Sequence, residues 1–410
     1  MIKIQLLSKT IKLRLYPDIL QDQALKNMCK VYRQACNYVS EYIYNNSFDL
    51  NSNNLNRSLY HIVRELFQLN SQLTQSVFRT VTARYITVRT QLLQKPYKYK
   101  DVNNQWKYEQ RTLEWLQKPI KFSRIQADLV RGSNYSFLND GTILSLTTLN
   151  KRTKMSFAKS HFKEYFDNNW TFGTAKLVKL KKIWYLHIPV SKYFEEFSKK
   201  NIRHVVGIDR GLRFIVTTYD EQGKTNFTSG KYISYKRHKF QETRRKLQSK
   251  NTKSAKRVLK RISGRENRWI SDVNHQISKT LVQRYGKNTL YVFEDLTNIF
   301  FNNNNLNKSK EQNYYMRSWS FYQLEQYLTY KAHENQSEVL KVSAKYTSQR
   351  CPKCGTINKN NRHHDTHEYI CQCGYRSNDD RVGAMNIQLL GTQWISGEDK
   401  PSFSKITLPE

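Results

Sequence analysis

The chain has 410 residues, and its 69 Lys and Arg outnumber its 33 Asp and Glu, which gives a formal net charge of +36. Hydrophobic residues make up 38% and aromatic residues 13% of the chain, a stock of apolar side chains that excludes a disordered protein. The length exceeds what one core usually organises, which predicts two or three domains. The positive surplus predicts a polyanionic partner, with nucleic acid as the first candidate and an anionic membrane as the second.

The sequence contains no pattern typical of a membrane or secreted protein. No segment reaches the run of about 18 apolar residues that a transmembrane helix needs. The start, MIKIQLLSKTIKLRLYP, carries charges inside its apolar run, unlike a cleaved signal peptide. Six cysteines are too few for a disulfide scaffold in a chain of this length. We therefore expect a cytoplasmic protein with no membrane partner.

The apolar period of the first half changes at Pro119. Before it, alternation at 10–16 predicts a strand, and an Asn- and Ser-rich segment at 45–56 predicts a loop. Helical spacing of apolar residues predicts three helices, at 21–44, 59–67 and 74–93. After Pro119 the period is two, which predicts a small antiparallel β-domain over 120–197 that the first strand joins.

The second half alternates strands with basic helices. A strand pair is predicted within 204–235, and a buried strand at 290–295. Residues 236–285 form a strongly basic helical stretch between them. Beyond these elements the sequence predicts an Asn-rich loop at 301–313, a helix at 318–334, a strand at 340–344, a cysteine-rich knuckle, a last helix and a flexible tail at 396–410.

Two close cysteine pairs predict a metal site. They are Cys351 with Cys354, in CPKCG, and Cys371 with Cys373, in CQCG. Because each pair is followed by Gly, two tight turns would bring four thiolates around one structural Zn²⁺. The alternatives are four reduced structural thiols or a ligand supplied by a histidine of the intervening loop, which contains His363, His364 and His367. Cys29 and Cys36 are interpreted as ordinary buried thiols.

A few acids follow apolar segments in this basic chain. Asp209 ends VVGID, Glu294 ends LYVFE, and the pair Asp379 and Asp380 opens the last helix. Carboxylates at two strand ends and one helix start can converge on one rim of a sheet, where they would hold two Mg²⁺ ions for phosphodiester hydrolysis. Each acid also has a structural interpretation, as a turn residue, a strand-end residue or a helix N-cap. The pattern alone predicts a metal-dependent nuclease.

The same residues resemble the TnpB family. GIDRG with Asp209, VFEDL with Glu294, and CPKCG followed by CQCGYRSNDDRVGAMNI are similar to the motifs of these insertion-sequence proteins, once called OrfB transposases and related to type V CRISPR nucleases. The resemblance implies RNA-guided cutting of double-stranded DNA next to a short adjacent motif, with Asp209, Glu294 and Asp380 as the catalytic triad that holds Mg²⁺. Asp379 is the reserve for the third ligand, and Val382 replaces the usual Asn.

The resemblance also implies the domain layout, an α+β multidomain fold. A helical recognition domain at 21–119 would be inserted in an antiparallel β-barrel, or wedge, domain formed by 1–20 and 120–197. An RNase H-like, or RuvC-like, α/β nuclease domain would follow at 198–345 and 377–395. A zinc ribbon at 346–376 would be inserted in it, and 396–410 would form the flexible tail.

The implied partners are a guide RNA from the element end and double-stranded target DNA, in a bacterial cytoplasm. Several polar and basic side chains are candidates for contacts with nucleic acid, on a helix of the first domain and in the basic stretch: Gln72, Gln75, Ser76, Arg79, Arg244, Arg245, Lys256 and Arg257. Two other functions stay open, a guided DNA-binding regulator without nuclease activity and a DNA transposase. The intact set of acids counts against the regulator, and the absence of a His-x-His motif with a nucleophilic Tyr counts against a single-strand transposase.

Overall fold

A computed structural model describes residues 4–139, 141–159, 162–296, 321–363 and 365–404 of the chain. The predicted Asn-rich loop, the first three residues of the predicted helix at 318–334, His364 and the end of the predicted tail lie outside these residues. The chain divides into two compact units, Ser8–Lys192 and Met1–Leu7 with Tyr193–Glu410. Among the described residues, no helix combines the length and apolar character needed to cross a membrane.

The first unit contains three helices that follow the opening strand. The strand is β1 (Ile4–Tyr16), and the helices are α1 (Ile19–Asn45), α2 (Ser52–Phe67) and α3 (Ser71–Leu93). The loop predicted at 45–56 is wrong over its second part, because α2 already begins at Ser52. Asn51 caps this helix by accepting a hydrogen bond from the backbone N–H of Asn53. Asn is common in loops and also at helix N-termini, which is why composition misplaced the boundary.

An isolated β-hairpin follows α3. Its strands are β2 (Tyr97–Lys100) and β3 (Trp106–Glu109), which pair with each other alone. This hairpin was not predicted, and it lies inside the range 21–119 that was predicted to be a helical domain. The alternation of aromatic and basic residues in YKYK and WKYE was the available signal.

The rest of the first unit builds one largely antiparallel sheet of eight strands, in the order β4-β9-β10-β1-β7-β6-β5, with β8 paired to β10. Its remaining strands are β4 (Gln126–Leu129), β5 (Tyr135–Leu138), β6 (Ile143–Thr147), β7 (Arg152–Phe157), β8 (Thr171–Phe172), β9 (Ala175–Leu180) and β10 (Ile183–Glu195). The alternating burial of β1 and β10 shows one face of the sheet turned to a core, which includes Leu13, Trp184 and helix residues such as Tyr32. Closure of the sheet into a barrel stays a prediction.

The second unit is built on a five-stranded mixed sheet in the order β13-β12-β11-β14-β15. The strands are β11 (His204–Asp209), β12 (Phe214–Tyr219), β13 (Thr225–Ser229), β14 (Thr289–Asp295) and β15 (Glu338–Ser343). The first three are antiparallel, whereas β11, β14 and β15 run parallel. Strand β13 was not predicted; its five residues extend the predicted pair to a meander.

Helices of the second unit pack on this sheet. The predicted basic stretch consists of α4 (Lys231–Lys250), α5 (Lys253–Ile262) and α6 (Arg265–Tyr285), and the later helices are α7 (Phe321–Glu334) and α8 (Asp379–Ile395). One core joins α6 and α7 to Val206 and Phe293, and another joins α8 to Val205 and Val292. Successive side chains of a strand point to opposite faces, so α8 covers the face opposite to α6 and α7.

Two smaller features complete the second unit. The cysteine segment carries a three-stranded sheet of β16 (Arg362–His363), β17 (Glu368–Ile370) and β18 (Arg376–Asn378). The predicted flexible tail is not loose at Phe403, which is buried in the core beneath α8 and lies 4.7 Å from the guanidinium of Arg350. A single apolar residue in a polar segment gave too weak a signal for the sequence to predict this contact.

Candidate active site

Asp209 and Glu294 lie at the ends of two adjacent parallel strands, on the same face of the sheet. Ile208 of β11 pairs with Phe293 of β14, so the next residues of the two strands are Asp209 and Glu294. Alternate residues of a strand lie on the same face, so Asp209 is on the face of Val205 and Glu294 is on the face of Val292. Both of these valines pack under α8. The register of the sheet therefore directs both carboxylates to the face that α8 covers.

The third acid comes from the first turn of α8. Asn378 is the N-cap, and its side chain accepts a hydrogen bond from the backbone N–H of Arg381. Neither Asp379 nor Asp380 is therefore the capping residue, although both follow it directly. The carboxylate of Asp380 faces the end of β11, about 4 Å from where a side chain on Gly211 would begin. The structure therefore brings Asp380 close to Asp209, the carboxylate that also lies beside Glu294.

The pKa values of the three acids are raised. Burial raises the pKa of Asp209 well above its usual value, and the carboxylates of Glu294 and Asp380 raise it further. Burial also raises the pKa of Glu294. The pKa of Asp380 is raised by burial and by the neighbouring charge of Asp379. A carboxylate that two neighbouring carboxylates repel fits a hard divalent cation such as Mg²⁺, which would remove the repulsion.

Asp379 shares the partner Arg362 with Asp380 but is bound by it more closely. Its carboxylate accepts a hydrogen bond from Nε of Arg362 at 2.9 Å and lies 3.5 Å from Nδ1 of His367. The Nη2 atom of the same Arg362 is 3.7 Å from the carboxylate of Asp380. Arg362 thus links the cysteine segment to both acids, and its positive charge lowers the pKa of Asp209, against the larger effect of burial.

Sequence reasoning missed the groups that hold these carboxylates. Thr347 donates a hydrogen bond to Oε1 of Glu294, and Arg210 donates one to the backbone carbonyl of Glu294 at 2.6 Å. The Arg210 side chain is almost completely buried, where it also pairs with Glu325 at 3.2 Å. Arg210 directly follows Asp209 in the sequence, so its position beside the site was visible. Nothing in the sequence pattern distinguishes a buried arginine from the other basic residues.

The four predicted cysteines meet at one point. The Sγ atoms of Cys351 and Cys373 are 3.6 Å apart, as are those of Cys354 and Cys371, and all four lie within 4.8 Å of one another. A tetrahedral Zn²⁺ with four thiolates needs Sγ atoms about 3.8 Å apart, so the four residues fit this ion. The turns are made by Gly355 and Gly374, both at positive φ, whose N–H groups bond back to Cys351 and Cys371.

The loop histidines do not join the described cysteine cluster. His363 is exposed on β16, and His367 lies beside Asp379. His364 is outside the described residues. The thiol of Cys354 has its pKa lowered to about 6 by hydrogen bonds from Thr356, which favours the thiolate form that binds a metal.

The four residues of α3 that are candidates for contact with nucleic acid differ in their exposure to solvent. Ser76 is buried, and Gln75 exchanges side-chain hydrogen bonds with Asn56, at 2.8 and 3.3 Å. Gln72 is partly buried, and Arg79 is exposed. Arg79 lines a cleft of about 460 Å³ together with Arg84 and Lys176. Of the four candidates on this helix, Arg79 is the one best placed to meet a phosphate.

The four candidates in the basic stretch also differ in exposure and in ion pairing. Arg245, Lys256 and Arg257 are exposed on α4 and α5. Arg244 instead pairs with Glu266, which also pairs with the buried Arg237 at 3.3 Å. A structural ion pair therefore accounts for Arg244, whereas the three exposed residues are available to phosphates.

Two family models match the second half of the chain. One is the OrfB_IS605 model, described as "Probable transposase", at residues 187–297, and the other is described as "Cas12f1-like, TNB domain", at 321–387. A TnpB-like protein of Methanocaldococcus jannaschii is 30% identical over 220 residues, which cover 51% of this chain and 77% of that protein. The chain belongs to the TnpB family. The resemblance stated from the motifs is thereby confirmed.

The TnpB-family chain is also similar to CRISPR-associated endodeoxyribonucleases named Cas12f1. The protein of Sulfoacidibacillus thermotolerans is 28% identical over 236 residues, which cover 53% of this chain and 53% of that protein. The protein of Syntrophomonas palmitatica is 26% identical over 258 residues, which cover 58% of this chain and 50% of that protein. The chain thus aligns with about half the length of these two relatives.

Solved structures resemble the fold of this TnpB-family chain. A Cas12f1–sgRNA–target DNA complex gives a TM-score of 0.59 at 12% identity and covers 93% of this chain and 99% of that one. CasPhi-2 (Cas12j) bound to crRNA and phosphorothioate DNA gives 0.50 at 12% identity and covers 97% and 93%. The predicted α+β class is thus confirmed.

Proposed function

We propose that this chain is an RNA-guided DNA endonuclease of a transposable element, which cuts double-stranded DNA next to a short adjacent motif by two-metal hydrolysis. The observation that carries the proposal is that Asp209 and Glu294 lie at the ends of adjacent strands on one face of the mixed sheet, with Asp380 of α8 close to Asp209. Its membership of the TnpB family and its similarity to endodeoxyribonucleases support it. The five-stranded sheet and the cysteine segment would be the RNase H-like domain and the zinc ribbon, and the eight-stranded sheet the wedge domain.

In this mechanism Asp209, Glu294 and Asp380 would hold two Mg²⁺ ions, which when bound activate a water molecule and stabilise the leaving oxygen. Thr347 orients Glu294 by a hydrogen bond to its carboxylate, and Arg210 fixes the backbone at the same residue. Arg362 orients the start of α8 through Asp379. Cys351, Cys354, Cys371 and Cys373 would hold a structural Zn²⁺ that fixes the segment carrying Arg362.

The remaining basic surface would hold nucleic acid. Exposed Arg245, Lys256 and Arg257 suit phosphate contacts with a guide RNA or its hybrid with DNA. Arg79 and its cleft suit the DNA next to the target, and the partly buried Gln72 of the same helix is a candidate for contact with a base edge. Base pairing with the guide would supply the rest of the specificity. Such a protein would act in the bacterial cytoplasm.

An Asp209→Ala substitution tests the cleavage step. Purified protein with its co-expressed RNA should cut a plasmid library that carries the matching target beside a randomised motif, in Mg²⁺ and not in its absence. Asp209→Ala should lower cutting to background, because it removes a metal ligand, while RNA and DNA affinity stay within about twofold and zinc content stays unchanged. Asp272→Ala, which removes an exposed carboxylate from α6, is the matched control and should cut normally.

Three results would count against the proposal. Full cutting by Asp209→Ala would remove the acid cluster from the mechanism. Guide-dependent binding without cutting by the wild-type protein would favour a regulator. Joining of the cut strand to a second DNA, in place of free 3′-hydroxyl ends, would favour a transposase.

A further inference from the structure

The hairpin of β2 and β3 presents an unusual surface on the first unit. All eight residues of its two strands are exposed. Directly opposite residues share a face of a hairpin, and the pairs here are Lys98 with Tyr108 and Lys100 with Trp106. Lys98, Lys100, Trp106 and Tyr108 therefore form one surface, called here the basic-aromatic face.

The side chains of the basic-aromatic face lie close to one another. The Lys98 ammonium is 4.2 Å from the ring centre of Trp106 and 5.5 Å from that of Tyr108, and the Lys100 ammonium is 5.3 Å from Trp106. Trp106 nevertheless remains 55% exposed and Tyr108 63% exposed. Two large aromatic rings, each beside an ammonium group, are thus open to a ligand.

The opposite face of the hairpin has a structural explanation. There Tyr97 stacks on Tyr99, with ring centres 5.9 Å apart, and also contacts Trp115 at 5.5 Å. Lys107 pairs with Asp101 of the turn at 3.2 Å. These contacts hold the hairpin together and anchor its base. They leave the basic-aromatic face without a described partner outside the hairpin itself.

We propose that the basic-aromatic face binds single-stranded RNA, with bases stacked on Trp106 and Tyr108 and phosphates at Lys98 and Lys100. Aromatic rings combined with positive charge suit unpaired nucleotides, because every base has a flat face and every phosphate a negative charge. Trp106 and Tyr108 are two residues apart on one strand, about 7 Å. This spacing is close to that of successive nucleotides in an extended strand.

The tip of the hairpin favours RNA as the occupant. Asn103, Asn104 and Gln105 have side-chain amides that make no hydrogen bond to any other described residue. Amides donate and accept hydrogen bonds, as do the 2′-hydroxyl groups and the free base edges of unpaired RNA. The choice of RNA over DNA also rests on the proposed function, which requires an RNA partner.

Binding by the full-length protein tests this inference. We would measure affinity by fluorescence anisotropy in buffer free of Mg²⁺ and of chelators, so that no strand is cut and zinc stays bound. The probes are a labelled single-stranded RNA of mixed sequence, a DNA strand of the same sequence, and an RNA duplex. Trp106→Ala and Tyr108→Ala should each weaken binding of the single-stranded RNA at least about fivefold, and leave the duplex within about twofold.

The salt dependence of RNA affinity distinguishes the contribution of aromatic stacking from that of positive charge. Lys98→Ala with Lys100→Ala should reduce the slope of log affinity against log salt by about 1.4, the amount for two single-strand phosphates. The two aromatic substitutions should lower affinity and leave that slope unchanged. Trp106→Phe keeps a ring that can stack and should retain most of the affinity.

Tyr99→Ala is the matched control, since it removes an aromatic side chain from the other face of the same hairpin. A loss with Tyr99→Ala as large as that with Trp106→Ala would mean that hairpin integrity alone matters, and would overturn the inference. So would equal losses for single strand and duplex, no loss at all, or a loss confined to single-stranded DNA. Each outcome is independent of cleavage, so failure here leaves the proposed nuclease standing, and the reverse also holds.

Discussion

Asp379 and Asp380 are adjacent in the sequence, but their carboxylates have different neighbours. Arg362 of the cysteine segment donates a hydrogen bond to Asp379 at 2.9 Å and lies 3.7 Å from Asp380, which also approaches Asp209 and the end of β11. The first turn of a helix rotates successive side chains by about 100°. The carboxylate of Asp379 therefore lies against the cysteine segment, and that of Asp380 lies between this segment and the end of β11. This geometry supports Asp380 as the third metal ligand and a positioning role for Asp379.

The repulsion at Asp209 predicts that the site reduces stability when no metal is bound. Asp209→Asn should raise the free energy of unfolding in Mg²⁺-free buffer by roughly 1–2 kcal/mol, because it removes a buried charge from beside two others. The gain should grow as pH rises above the usual carboxyl pKa. A carboxyl group with a raised folded-state pKa destabilises the fold progressively as pH rises from its unfolded-state pKa to its folded-state pKa.

Thermal unfolding with and without Mg²⁺ measures this effect. Mg²⁺ should stabilise the wild-type protein more than Asp209→Asn, since the ion binds the native site. Asp272→Asn, at an exposed position of α6, should leave the unfolding temperature unchanged. An Asp209→Asn protein less stable than wild type at every pH would show that the carboxylate has a stabilising partner.

The acids and cysteines of the site could be predicted from the sequence, but the residues that hydrogen-bond to the acids could not. The acids and cysteines stood out because carboxylates are rare at strand ends here and paired cysteines are rare anywhere. Thr347 and Arg362 carry no such signal, since their contacts with Glu294 and Asp379 depend on how the strands and the cysteine segment pack. The hairpin of β2 and β3 was not predicted, because each strand alternates aromatic and basic residues over only four positions.

The packing of α8 on β11 determines whether the acids meet. Gly207 lies between Val205 and Asp209 on the face of β11 that α8 covers. A Cβ atom on Gly207 would be 2.1 Å from the carbonyl oxygen of Ala384 and 2.4 Å from the amide nitrogen of Gln388. Both atoms belong to the backbone of α8, which cannot yield as a flexible side chain would. The helix that carries Asp380 can therefore approach the strand that carries Asp209 only at a glycine.

Gly207→Ala should displace α8 from the sheet. We expect it to destabilise the second unit by about 1–3 kcal/mol, as overpacking does, and to reduce cleavage further than the lost stability explains. Val206→Ala is the matched control, because Val206 is the next residue of β11 and packs on the opposite face. It should destabilise the fold to a similar degree while cutting at nearly the wild-type rate well below its unfolding temperature. Equal cleavage by the two variants would contradict a positioning role for Gly207.

Element types followed from the sequence more closely than their boundaries did. Apolar patterns predicted α1 and α3, which each bury one face, and the strands around Asp209 and Glu294, which are apolar almost throughout because both of their faces are buried. The start of α2, strand β13 and the contact of Phe403 depend on a cap, an edge pairing and a single buried ring. These features have no periodic signal. The pairing of β11 with β14 joins residues about 85 positions apart, which no local pattern can specify.

The whole molecule combines a strongly positive charge with two compact units. The acid cluster lies in one unit and the hairpin in the other. Such a division suits a protein that holds a large polyanion on one set of elements and acts on it with another. A net charge of +36 is far more than is needed to balance the three acids of the cluster. A surplus of this size is expected of a protein whose native partner is a nucleic acid.

The most direct measurement starts from the nucleic acid that accompanies the protein. We would express the gene with its native flanking DNA, purify the protein, and sequence the RNA bound to it. The proposed function predicts one dominant RNA that ends in a short segment from the flank, and replacement of that segment should redirect Mg²⁺-dependent cutting to the newly matched DNA. Heterogeneous RNA, or cutting that ignores the replaced segment, would contradict guided cleavage.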